Sequence, residues 1–95
     1  MNISNEGIAI TKRFFIAIEA LKQYKMMKSV RAFTLAHNIN YWNFNTVKKN
    51  PDKSVLKPEW IYYLCNDYGV SSDYIISGKG FIFNDGTFNI SENKR

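Results

Sequence analysis

The sequence predicts a mainly α-helical domain of five short helices, followed by a C-terminal β-hairpin. Two observations predict the helices: apolar residues recur at helical spacings, and each of these runs starts with a capping residue or, in one case, a proline. A third observation predicts the hairpin, because two β-prone runs flank an Asn-Asp-Gly turn near the end of the chain. The 95 residues are enough for one domain with one core.

The first predicted helix follows a tail. Residues 1–10 show no periodicity and few charges, so they predict a flexible N-terminal segment. Thr11 is expected to cap a helix that extends to about Lys25. Phe15 needs cover from the tail or from a partner. The predicted buried face consists of Phe14, Ala17, Ile18 and Leu21.

The second predicted helix is brief and ends in a tight turn. Ser29 is expected to cap it, and it covers about residues 30–37 with Phe33 as its main core anchor. Asn38 stands at the turn, where a left-handed backbone is expected, and asparagine tolerates that conformation better than most residues other than glycine. The next helix therefore starts only a few residues further on.

The third predicted helix is too polar for its size. Asn40 is expected to cap it, and Ile39 and Phe44 form a hydrophobic staple that fixes the angle of entry. Phe44 and Val47 lie three positions apart and can face a core. The helix ends near Lys49, and its other side chains point elsewhere: Tyr41, Trp42, Asn43, Asn45, Thr46, Lys48 and Lys49. Such amides, aromatic edges and ammonium groups suit a groove of DNA.

Two further helices are predicted before the hairpin. Pro58 fits the first position of helix four, and Gly69 ends it. Ser71 or Ser72 is expected to cap a short fifth helix that ends near Ser77. The expected apolar stripe of helix four is Ile61, Leu64, Cys65 and Tyr68.

The predicted hairpin covers residues 81–90, and a polar tail covers residues 91–95. An isolated two-stranded hairpin is marginal in water, so its apolar side chains must pack on the helical domain or on another subunit. We take the hairpin as the candidate dimer interface. The residues expected there are Phe81, Phe83, Phe88 and Ile90.

The net charge of +5 is unevenly distributed. Residues 22–57 contain eight basic side chains and one acid, so this segment carries +7 while the rest of the chain is net acidic by two. Because the segment coincides with the two-helix unit, it favours a polyanionic partner, from which each neutralised phosphate releases counterions. The alternative interpretation is a solvated lysine-rich face.

Composition argues against several other classes of protein. There is no apolar run long enough for a membrane span and no secretory signal pattern, so we expect a cytoplasmic protein. Cys65 and His37 are the single cysteine and the single histidine, which argues against a zinc or histidine-rich metal site. No paired carboxylates, nucleophile with a base, or glycine-rich phosphate loop emerges. We therefore expect no enzyme, no cofactor and no small-molecule substrate.

Residues 13–80 resemble the phage-repressor type of helix-turn-helix domain, the Cro/C1 or XRE family. Residues 69–78, G-V-S-S-D-Y-I-I-S-G, are similar to the end of helix four plus helix five of that family. Other matching positions are the cap of the recognition helix, its two buried residues and the start of helix four: Asn40, Phe44, Val47 and Pro58. The resemblance implies a five-helix lambda-repressor-like DNA-binding domain over residues 11–80. It also implies a sequence-specific regulator that binds double-stranded DNA, a small phage or mobile-element repressor acting as a homodimer.

The resemblance further implies that helix three lies in the major groove while helix two spans the DNA backbone. The residues expected at base edges are Tyr41, Trp42, Asn43, Asn45 and Thr46. Those expected at the backbone are Lys28, Ser29, Arg31, Asn40, Lys48, Lys49 and Lys53. Thr46 could meet a thymine methyl or donate a hydrogen bond, and an asparagine could bind adenine. Trp42 either makes an exposed contact or packs under helix two.

A competing hypothesis uses the same scaffold as a protein-interaction or inhibitor module. Tyr41, Trp42 and Phe44 would then be aromatic anchors, because such residues are typical hot spots of protein interfaces. His37 is expected to be packed or solvated at the turn rather than to act as a ligand or base. Cys65 is expected to be a small buried apolar residue.

Overall fold

The structure is a computed structural model that describes residues 3–84. These residues form five helices: α1 (Asn5–Gln23), α2 (Val30–Ala36), α3 (Tyr41–Lys49), α4 (Pro58–Tyr68) and α5 (Ser72–Ser77). The predicted mainly α-helical class is confirmed. Within residues 3–84 the β pairing is one isolated antiparallel bridge, between Val70 and Phe83. The rest of the predicted hairpin lies outside the described residues, with Phe88, Ile90 and the polar tail.

The start of α1 corrects the predicted N-terminal tail. The helix begins directly after Ser4, whose hydroxyl accepts a hydrogen bond from the backbone N–H of Gly7 at 3.0 Å. Thr11 is not a cap: it is buried inside the helix, and its hydroxyl donates to the carbonyl of Gly7 at 3.1 Å. The flexible tail is therefore wrong for residues 5–10, because an earlier serine supplies the cap that starts the helix.

The predicted caps of α2 and α3 are confirmed, and of the two candidates for the cap of α5 the structure shows Ser71. The side-chain oxygens of Ser29, Asn40 and Ser71 accept the backbone N–H three residues further on, at 3.0, 2.9 and 3.2 Å. Asn38 has a φ of 55°, which is the left-handed conformation expected between α2 and α3. Gly69 ends α4 in the same conformation, with a φ of 70°. These local signals mark the starts of α2, α3 and α5 and the end of α4.

The core is an aromatic cluster between α1, α2, α3 and α4. The ring centroid of Phe44 lies 6.0 Å from Phe14, 5.2 Å from Phe15 and 5.0 Å from Trp60. The ring of Phe15 is therefore covered by residues of the same chain. The other predicted core residues of α1, α2 and α3 are buried as well: Ala17, Ile18, Leu21, Phe33 and Val47.

The buried face of α4 differs from the predicted stripe. Leu64 is fully buried as expected, but the second fully packed residue is Trp60, at 4% exposure. The remaining members of the predicted stripe are only partly buried: Ile61, Cys65 and Tyr68. The indole of Trp60 lies against Phe44, with the ring centroids 5.0 Å apart, so the Trp60 face of α4 is turned toward the core.

Phe83 packs on the protein's own helical domain and is 3% exposed. The segment is held there by Ser71, whose N–H donates to the carbonyl of Ile82 at 2.7 Å, and by Asn84, whose N–H donates to the carbonyl of Gly69 at 2.9 Å. Its assignment to a dimer interface is therefore wrong, because the ring is already buried. Phe81 remains 55% exposed.

Candidate nucleic-acid interface

The buried residues of α3 define its outer face. Phe44 and Val47 are 1% and 6% exposed and point into the core. On the opposite side lie Trp42, Thr46 and Lys49, which share one face because they are spaced by four and three residues. All three are exposed, and Trp42 reaches 77%. Of the two alternatives for Trp42, the structure shows the exposed one.

The polar residues of α3 are distributed around this outer face. Thr46 is exposed, and its hydroxyl donates to the carbonyl of Trp42 at 2.9 Å. Asn43 is exposed on the flank next to α4, in a cleft that also contains Asn40. Asn45 is half-buried on the opposite flank, toward α1 and α2. The two asparagines are therefore not adjacent on one reading surface.

A positively charged cleft of about 310 Å³ lies between α1, the start of α2 and α3. Its polar lining brings together most of the residues expected at the DNA backbone: Lys28, Ser29, Arg31 and Lys48, with Lys22 beside them. Tyr41 also lines it, and its ring centroid lies 4.9 Å from the Arg31 guanidinium carbon. This cation–π contact turns Tyr41 toward α2, away from the centre of the outer face.

Glu19 introduces a negative charge beside this cleft. One of its carboxylate oxygens lies 3.2 Å from Lys48 Nζ and 3.5 Å from Lys22 Nζ. Partial burial alone would raise the pKa of the Glu19 carboxyl, but the two ammonium groups outweigh it and lower that pKa below its ordinary value. Glu19 was not among the predicted site residues, because it lies 29 positions from Lys48 in the chain and no local pattern joins the two.

The other expected backbone residues lie outside the cleft. Lys49 and Lys53 are exposed on and after the end of α3. Asn40 is exposed, and its side-chain oxygen is already used in capping α3. Ser29 likewise uses its oxygen as a cap, which leaves its hydroxyl proton to be donated to a ligand.

His37 joins the turn between α2 and α3 to α4. Its ring stacks on Tyr63 at a centroid distance of 4.0 Å, and its Nε2 lies 2.5 Å from a carboxylate oxygen of Asp67. The histidine is therefore packed at the turn, as expected.

Within residues 3–84 no three His, Cys, Asp or Glu side chains are grouped so that they could hold a metal ion. Cys65 is half-buried rather than buried, and this partial burial raises the pKa of its thiol.

Comparison with known proteins identified no related protein. A scan against protein-family models, a search of curated proteins and a search of solved structures each returned no significant match. Every helix within residues 3–84 is too short or too polar to span a bilayer.

Proposed function

We propose that this protein is a sequence-specific regulator that binds double-stranded DNA, of the Cro/C1 or XRE helix-turn-helix type, and acts as a small phage or mobile-element repressor. The observation that carries the proposal is the outer face of α3. This face is exposed, free of acidic side chains and bordered by a cleft with four cations. A surface of this kind complements the charge of duplex DNA.

The contacts divide into two groups in the proposed complex. Trp42 and Thr46 face the base edges in the major groove, because they occupy the centre of the outer face. Asn43 and Asn45 flank them, one on each side. The cleft residues and Lys49 bind phosphates, which sets the register of the protein without reading sequence.

Fluorescence anisotropy tests this function directly. Labelled duplexes of random sequence and genomic fragments are titrated with the protein over a range of salt concentrations. We expect tight binding at low salt and a linear fall of log affinity with log salt concentration. Affinity no better than background at about 50 mM salt would exclude the DNA-binding function.

A homodimer is part of the proposal, because readers of this class bind paired half-sites about one helical turn apart. Since Phe83 is buried, Phe81 is the described hairpin residue that remains for such an interface. Sedimentation of the full chain and of the variant Phe81→Ser tests it. A monomer at high concentration that still binds its operator would contradict the dimer.

The second candidate function is a protein-interaction module. Two large apolar side chains favour it, since Trp42 is 77% and Leu35 is 71% exposed. Phe44 cannot be one of its anchors, because it is 1% exposed. Capture from a host lysate with and without nuclease separates the two functions. A stoichiometric protein that survives nuclease treatment favours this candidate, and capture that disappears favours DNA.

A further inference from the structure

We infer that the outer face of α3 reads thymine. Trp42 and Thr46 contact the C5-methyl groups of thymines in the major groove, so the preferred half-site is rich in A·T pairs. The inference rests on the DNA-binding function proposed above and names the class of sequence that this function selects.

The outer face is poorly equipped to recognise guanine. The commonest reader of guanine is an arginine or lysine that binds O6 and N7 together. No such residue occurs from Tyr41 to Thr46, and the first cation on the outer face is Lys49. Lys49 lies about 10 Å along the helix axis from Trp42. Base contacts of a recognition helix are concentrated at its N-terminal end, where this helix has none of these cations.

The hydrogen bond of Thr46 commits the one proton of its hydroxyl, so this group can meet a base only as an acceptor. The hydroxyl donates its proton to the Trp42 carbonyl at 2.9 Å, so it has no second proton to give to a base. The γ-methyl is the apolar remainder of an exposed side chain. Of the two contacts that the sequence left open for Thr46, the structure therefore favours the thymine methyl over a donated hydrogen bond.

Trp42 extends the apolar surface next to Thr46. The two residues are one helical turn apart on the same face, and the indole is 77% exposed. The thymine methyl is the apolar group that a base pair presents in the major groove. The cations of the neighbouring cleft attract a polyanion to this apolar pair, which argues for duplex DNA as its occupant. The asparagines on the two flanks agree with an A·T site, because their amides pair with the N6 and N7 edge of adenine.

The test uses duplexes that differ only in methyl groups. A site is first selected with the full-length protein from a pool of randomised duplexes. The selected duplex is then remade with deoxyuridine at each thymine in turn, which removes the C5-methyl and keeps the base pair. We expect about a fourfold loss of affinity at each contacted thymine. A selected site without thymine at its discriminating positions, or equal binding of the two duplexes, would overturn the inference.

Two substitutions at Thr46 form a matched pair. Thr46→Val keeps the methyl and removes the hydroxyl, so this variant should still distinguish thymine from uracil. Thr46→Ser keeps the hydroxyl and removes the methyl, so discrimination should disappear at one position. Circular dichroism checks that both variants are folded. If they discriminate equally, Thr46 does not contact a thymine methyl.

The outcomes also separate this inference from the proposed function. Salt-dependent binding with no preference for thymine over uracil would refute thymine reading and leave the DNA-binding function standing. Absence of any binding at low salt would refute both.

Discussion

Lys48 Nζ lies 3.2 Å from a carboxylate oxygen of Glu19, so a lysine expected at the DNA backbone is already paired within the protein. The side chains of Lys48 and Glu19 are 44% and 52% exposed. A pair this exposed is weak in water and can exchange one partner for a phosphate. In the proposed complex Glu19 would therefore compete with a DNA phosphate for the ammonium group of Lys48.

Replacing the competitor should strengthen DNA binding. In Glu19→Gln the ammonium group of Lys48 is released, and we expect roughly three- to tenfold tighter binding at low salt. The salt slope should stay nearly the same, because Lys48 neutralises a phosphate in the complex with or without Glu19. Anisotropy titrations over a series of salt concentrations measure both quantities. Glu6→Gln is the control, since it makes the same charge change about 20 Å away along α1. Equal gains in the two variants would show that proximity to Lys48 is irrelevant.

The same carboxylate makes stability depend on pH. Since the pKa of Glu19 is lowered in the folded protein, its ion pairs stabilise the fold at pH values above the ordinary glutamate pKa. This contribution is lost as the pH falls through the lowered pKa. Urea unfolding at several pH values from about 3 to 7 should show a shallower acid-side decline for Glu19→Gln than for the wild type. Parallel pH profiles would contradict the assignment.

Arg13 should matter for stability rather than for binding. Its Nε donates to the carbonyl of Ile75 at 2.8 Å, and its Nη2 donates to the carbonyl of Ile76 at 3.0 Å. These bonds attach α5 to α1 and satisfy carbonyls near the end of α5. We expect Arg13→Ala to lower the free energy of unfolding by about 1.5–3 kcal/mol. Urea denaturation measures this, and the exposed neighbour Lys12→Ala is the control. A loss of stability no larger than that of the control would mean that the two hydrogen bonds of Arg13 contribute little to the stability of the fold.

Arg31 is expected to bind a phosphate of the DNA backbone. Arg31→Ala should weaken binding to all duplexes by a similar factor and reduce the salt slope by about one unit. It also removes the cation–π contact with Tyr41, so Arg31→Lys is a useful second variant that keeps the charge. Lys79→Ala, beyond the end of α5, controls for loss of net charge. A change confined to one DNA sequence would instead make Arg31 a base reader.

The helix starts were predictable wherever neighbouring residues determine them. Ser29 and Asn40 cap helices through their own side chains, and Asn38 takes the left-handed conformation that its position demands. Each of these is a local event that needs no tertiary information. The same rule failed at the N-terminus, since Ser4 and Thr11 are both good caps and only the packed helix distinguishes them.

Contacts between distant parts of the chain were not predictable. Trp60 lies four positions before Leu64 and so shares its face of α4, but its place in the core against Phe44 depends on a contact with another helix. The pairing of Glu19 with Lys48 depends on how α1 crosses α3, which no local pattern encodes. The outer face of α3 was predictable in part, because its buried residues alone define the opposite side.

The chain has two tryptophans, and their surroundings could hardly differ more: Trp42 is 77% exposed and Trp60 is 4% exposed. Its ultraviolet emission is therefore the sum of a solvent-relaxed component and a blue-shifted one. A soluble quencher such as iodide reaches the first and spares the second. Binding of a partner at α3 and unfolding of the core would therefore change different components of the tryptophan emission. Both events can be followed in the native protein without an attached dye.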